Sequence, residues 1–74
     1  LLLCGVTTEV CVHSTLREAV DRGYECVTIG DACAASEPAL QEPALAMIAV
    51  EGGILGTVAS AADCLAALAA REAA

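Results

Sequence analysis

The sequence predicts an α/β fold built on a parallel sheet covered by helices. Three observations carry that expectation. Apolar runs of strand length alternate with stretches of helical period, and glycines punctuate the junctions. The 58% hydrophobic content includes a single aromatic side chain in 74 residues, so it comes from Ala, Val, Leu, Ile and Cys. Small aliphatic side chains of this kind suit close helix-on-sheet layers.

Leu1 to Val6 is a continuous apolar run ending at a turn, the pattern of a strand buried on both faces. From Thr8 to Arg22 the period changes. Val12, Leu16, Ala19 and Val20 recur at i, i+4, i+7 and i+8, while Arg17, Glu18 and Asp21 lie off that stripe, which predicts an amphipathic helix. Arg22 suits the negative end of the helix and Gly23 supplies a left-handed cap.

Glu25 to Gly30, with Cys-Val-Thr-Ile at its centre, predicts a second strand, parallel to the first because a helix connects them. The chain is then expected to turn after Asp31. Ser36 with Pro38, or Glu42 with Pro43, can open the next helix, since proline is tolerated in a first turn. Leu45, Met47 and Ile48 are expected to face inward, and Gly52-Gly53 to end the helix. A third strand over Ile54 to Ala59 and a capped last helix starting at Ser60-Ala61-Ala62-Asp63, carrying Leu65 and Leu68, complete a β-α-β-α-β-α order.

Net charge is −7, with Arg17, Arg22 and Arg71 as the strong cations and no lysine. Such a surface cannot neutralise a phosphate backbone, so nucleic acid is not expected as a partner. No apolar stretch reaches the roughly 18–20 residues of a membrane span, and the chain is expected to be soluble and cytoplasmic, away from membranes. A chain of this length buries little surface. It is therefore expected to be a fragment or a subunit completed by other chains, either as a homo-oligomer or in association with a missing N-terminal part.

Five cysteines, an odd number lying in strand and helix patterns, point to reduced thiols. Cys11 stands out. It follows an apolar strand in the first turn of a helix, where backbone N–H groups and the helix dipole favour a thiolate, the nucleophilic form. It also lies off the core stripe, on a polar line with Thr15, Glu18 and Arg22. Position alone leaves a catalytic thiol and a space-filling one both open. Cys4 and Cys26, inside strands, and Cys64, beside an apolar helix face, read as structural; Cys33, read as a loop residue at a strand's carboxyl end, could line a site.

No Cys-x-x-Cys pair exists, which argues against zinc and against a thiol redox motif, so neither metal nor cofactor is expected. His13 sits two residues from Cys11 and points to another side of the helix. It reads as a surface residue, as do Glu9, Glu18, Glu37, Glu42, Glu51 and Glu72. Asp31 can support a site by a hydrogen bond or serve a turn or cap. Phosphate-binding glycine motifs and the Gly-x-Ser-x-Gly elbow are missing.

The string Gly5-Val6-Thr7-Thr8-Glu9-Val10-Cys11-Val12, followed by Ser14-Thr15-Leu16-Arg17-Glu18-Ala19 and Asp21-Arg22-Gly23-Tyr24-Glu25-Cys26, resembles the isochorismatase-like cysteine hydrolases. Amidases acting on ureido and carbamoyl compounds are the nearest in character. The likeness continues through Asp31-Ala32 and Ala44-Leu45-Ala46-Met47-Ile48 to Gly52-Gly53-Ile54-Leu55-Gly56. It implies a three-layer α/β/α fold of Rossmann-like topology, of which residues 1–74 form the C-terminal part of one hydrolase domain.

The resemblance further implies that Cys11 attacks a carbonyl of a small amide, ureido or carbamoyl substrate to give an acyl-enzyme. It implies a non-proline cis peptide between Val6 and Thr7, with the Thr7 and Cys11 amides forming an oxyanion hole and Val6, Thr7 and Cys11 meeting the substrate. In such enzymes an Asp base and a Lys come from N-terminal elements. Neither is matched here, and Gln41 stands where many relatives have a histidine, so impaired catalysis by these 74 residues is expected. The other reading is a non-catalytic α/β fragment or assembly subunit.

Overall fold

In the computed structural model, which describes residues 1–73, the opening apolar run forms β1 (Leu2–Val6). The helical stretch that follows divides into a π-helical turn, Thr8–Val12, and α1 (His13–Asp21). The expected stripe faces inward: Val12, Leu16 and Ala19 are buried and Val20 packs against them. Gly23, at φ 88°, closes α1. Its N–H donates to the Val20 carbonyl and that of Tyr24 to the Ala19 carbonyl, both at 3.0 Å. This is the 6→1 and 5→2 pairing that a left-handed residue after a helix permits.

The next strand, β2, spans Val27–Ala34 rather than Glu25–Gly30. It pairs with β1 twice, Leu2 and Leu3 opposite Val27 and Thr28, then Gly5 and Val6 opposite Cys33 and Ala34. Between these pairings β1 advances two residues and β2 five, so β2 carries a bulge and resumes the ladder beyond it. The strand therefore runs on past Asp31, after which a turn was expected, and Cys33 is a strand residue where a loop was expected.

After β2, α2 (Pro38–Ile48) starts at the first of the two expected prolines and keeps Pro43 inside it. Ala44 and Ile48 are buried and Leu45 packs against the core, whereas Met47 is 52% exposed and not the inward residue expected. A short segment, α3 (Val50–Gly53), is broken by left-handed Glu51 and Gly52. The third strand, β3, is only Thr57–Ala59. Ile54, Leu55 and Gly56 form its approach, with the Gly56 N–H bonded to the Gly53 carbonyl at 2.8 Å.

The strands lie in the order β1-β2-β3, all parallel. The fold is thus α/β with a parallel sheet, as the alternation of periods implies. One core cluster joins Leu3 of β1, Val12, Leu16 and Ala19 of the first helical stretch, Cys26 and Cys33 flanking and within β2, Ile48 of α2 and Leu55. Leu16 and Ile48 are completely enclosed.

The last helix, α4 (Ala61–Ala73), packs against β2 but stays outside that cluster. Its Leu65 and Leu68 are 67% and 44% exposed. Among the described residues no helix is long and apolar enough to cross a membrane.

Candidate active site

The site begins where β1 ends. The Val6–Thr7 peptide is cis and Thr7 is extended (φ −98°, ψ 151°). Its carbonyl accepts from two amides ahead of it, Val10 at 3.2 Å and Val12 at 3.1 Å. A carbonyl shared between i+3 and i+5 donors opens the first turn into π geometry. Thr8 and Val12 are turned into the core, which leaves Cys11 on the outside of the turn, exposed.

Cys11 lines a cleft of about 340 Å³ together with Leu3, Cys4, Gly5, Val6 and Thr15. Two of the three residues expected at the site, Val6 and Cys11, thus share one cleft; Thr7 follows Val6 in the chain and does not line it. Cys4, read from sequence as a buried strand thiol, is exposed and lines the same cleft. Thr15 joins Cys11 from one turn further along, while Glu18 and Arg22 at the end of the same polar line pair with each other at 3.0 Å.

Three interactions hold the turn and the strand ends around it. The Glu9 carboxylate accepts from the Ser36 amide at 3.1 Å and from the Ser36 hydroxyl, so it bridges to the β2–α2 connection instead of standing free in solvent as expected. These donors, the hydroxyl foremost, hold the Glu9 carboxyl below the usual carboxylate range.

The Thr8 hydroxyl donates to Gln41 Oε1 at 2.7 Å. Gln41 Nε2 donates in turn to the Gly30 carbonyl at 3.2 Å and the Cys33 carbonyl at 3.1 Å, on either side of Asp31 and Ala32 in the bulge. Asp31 Oδ1 accepts from the Ala61 amide at 2.8 Å, which is the capping role rather than support of the cleft, and Ser60 Oγ accepts from the Asp63 amide at 3.1 Å to complete the start of α4.

Other residues considered from sequence lie elsewhere. His13 Nε2 accepts from Arg17 Nε at 3.0 Å along the outside of α1. Cys33, thought able to line a site, is in the core, its thiol directed to the Ile29 carbonyl at 3.2 Å and pushed up by burial. Cys26 is buried and Cys64 half-buried. Among the described residues, no three His, Cys, Asp or Glu side chains gather to hold a metal ion.

The strand, the wide turn and the exposed thiol lie within a stretch that a family model covers: a model described as Isochorismatase domain matches residues 1–69. The chain belongs to the isochorismatase family. It is 43% identical to a protein named ureidoacrylate amidohydrolase RutB of Methylorubrum extorquens, over 81% of this chain and 25% of RutB. It is 31% identical to the isochorismatase family protein YddQ of Bacillus subtilis, over 78% of this chain and 36% of YddQ. A crystal structure of an isochorismatase-like hydrolase from Alkaliphilus metalliredigens superposes with TM-score 0.81 at 28% identity, covering 90% of this chain and 35% of that one. The chain therefore spans about a third or less of the length of these family members.

Proposed function

We propose that this chain contributes the nucleophile of a cysteine hydrolase that cleaves a C–N bond in a small amide, ureido or carbamoyl compound. The observation that carries the reading is Cys11 itself, exposed on the first turn after β1 and lining a cleft with Val6 in a chain of the isochorismatase family. The 43% identity to a protein named as an amidohydrolase of ureidoacrylate supports the substrate class.

In this reading the Cys11 thiolate attacks the substrate carbonyl and the Thr7 and Cys11 backbone amides stabilise the developing oxyanion. The C–N bond breaks, the amine leaves with a proton, and water hydrolyses the Cys11 thioester to return the thiol. Val6 and Thr7 border the bound carbonyl. Among the described residues no Asp, Glu, His or Arg lines the Cys11 cleft, and the 74 include no lysine, so in this reading the proton acceptor and the cation that support the thiol are supplied from elsewhere. Turnover by these residues alone is therefore slow; robust amide hydrolysis by them, abolished in Cys11→Ala, would overturn that part of the reading.

A second reading, an assembly subunit without catalysis, is favoured by the apolar side chains left uncovered: Leu2 and Val6 on β1 and Leu65 and Leu68 on α4 are all exposed. Burying them calls for a second copy or for the rest of a longer hydrolase domain. Iodoacetamide near neutral pH, with labelled positions mapped by mass spectrometry, separates the two. The hydrolase reading predicts that Cys11 reacts ahead of Cys4, its exposed neighbour in the cleft; equal or absent labelling of Cys11 favours the assembly subunit.

A further inference from the structure

We infer that Gln41 is a positioning residue for Cys11, acting through the hydroxyl of Thr8. The inference rests on the reading of Cys11 as the nucleophile and adds to it the device that sets where the thiol stands. The hydrogen bonds fix the direction of the network without ambiguity. Two carbonyl oxygens, those of Gly30 and Cys33, face one end of the Gln41 amide, so that end is the NH2 group and uses both its protons there. The other end is then the oxygen, and Thr8 must donate to it. The Thr8 proton is committed to Gln41.

The two ends of this network belong to different parts of the fold. Thr8 is completely buried and opens the π-helical turn that presents Cys11 one turn later. Gly30 and Cys33 bracket the irregular stretch of β2 that lets the ladder resume opposite Gly5 and Val6. Gln41 on α2 therefore ties the turn carrying the thiol to the strand segment that pairs with the residues just before it. The turn is wide, with Thr7 as its shared acceptor, the single-turn π geometry that recurs at functional sites. The Thr8–Gln41 bond anchors it from a buried side, adjacent to the Glu9–Ser36 clamp on the outer side.

The bland alternative is that Gln41 merely satisfies polar groups in the interior and that its loss loosens the whole domain. Competitive alkylation of the full chain separates the two, because five thiols in known settings report at once. Cys11 and Cys4 are exposed in one cleft, while Cys26 and Cys33 are buried. The readout is the ratio of Cys11 to Cys4 modification by iodoacetamide, with Cys26 and Cys33 as reporters of global loosening.

In Thr8→Val, which keeps the shape and removes the donor, the Cys11 to Cys4 ratio should fall about tenfold, part of the roughly hundredfold that a misplacement of about 1 Å can cost a reacting group. Cys26 and Cys33 should stay protected, and Thr8→Ser, which restores the hydroxyl, should recover the wild-type ratio. Gln41→Met should give the same fall by removing the other partner. An unchanged ratio in Thr8→Val and Gln41→Met overturns the inference, and so does a fall seen only together with labelling of Cys26 and Cys33. Absence of any Cys11 preference in the wild-type chain instead sinks the nucleophile reading itself, a result distinguishable from both.

Discussion

Glu9 and Ser36, 27 residues apart in sequence, are locked together: one carboxylate accepts from both the backbone amide and the hydroxyl of the serine. Because these donors bind the ionised form, the carboxyl of Glu9 is lowered in the folded protein. A group lowered on folding stabilises the native state fully above its ordinary range, and that contribution is lost as pH falls through the lowered value. Glu9→Gln should therefore be less stable than wild type at neutral pH, with the difference shrinking as pH falls below the usual carboxylate range and through the lowered Glu9 value. Urea unfolding of both proteins across that range checks it; a difference that persists unchanged in acid would show that the carboxylate charge is not what Ser36 recognises.

Thr28 carries a hydroxyl with no hydrogen-bond partner at a completely buried position of β2. A buried unpaired hydroxyl is a cost that valine, of nearly the same shape, does not incur. Thr28→Val should raise unfolding free energy by about 1 kcal/mol. Denaturant melts measure this directly, and a destabilised variant would mean that the hydroxyl has a partner after all.

Gly56 sits at φ 105° with its α-carbon against the Cys26 backbone, so a methyl group there would collide with the Cys26 carbonyl. That carbonyl accepts the Thr57 amide at 3.2 Å, the bond that leads into the β2–β3 ladder. Gly56→Ala should cost at least about 2 kcal/mol by combining backbone strain with a clash against rigid backbone. Gly52→Ala makes the control: its φ is also positive, at 67°, but open space surrounds the added methyl, and the cost should be nearer 1 kcal/mol. Equal costs at the two sites would refute the steric account.

Asp31 reaches across from β2 to cap the first amide of α4. Asp31→Ala should weaken α4 selectively, by about 1 kcal/mol, the usual worth of an N-terminal cap. Amide exchange in the first turns of α4 should quicken while that of α1 stays as in wild type; uniform acceleration would place Asp31 in global stability instead.

Much of this fold is written locally in the chain. The stripe of Val12, Leu16, Ala19 and Val20, the cap at Gly23 and the alternation of strand and helix periods all follow from neighbours within two turns, and the family string Gly5 to Val12 is likewise continuous. What local pattern could not reveal depends on partners far along the chain. β2 continues to Ala34 only because Gly5 and Val6 offer it a second pairing beyond a bulge. Met47 and Ile48 are equally apolar neighbours, and only the direction in which α2 docks decides that one is exposed and the other enclosed.

The candidate site divides the same way. Cys11 is conspicuous in sequence through its place after a strand, off the apolar stripe. The pairings of Thr8 with Gln41 and of Glu9 with Ser36 could not be read locally, because they span 33 and 27 residues. The signal that could have drawn attention to Thr8 is a polar β-branched residue one turn before Val12, on the side that the core stripe claims.

The central claim is that the Cys11 sulfur accepts an acyl group, and trapping that group tests it most directly. An activated ester such as p-nitrophenyl acetate transfers its acetyl group to a nucleophilic thiol and releases p-nitrophenolate, so a thioester should form at Cys11 without help from a leaving-group acid. Intact-mass and peptide mapping should find one acetyl group on the peptide containing Cys11, absent in Cys11→Ala and slowed in Thr8→Val. Acetylation spread evenly over Cys4 and Cys11, or found at Cys4 alone, would contradict the account.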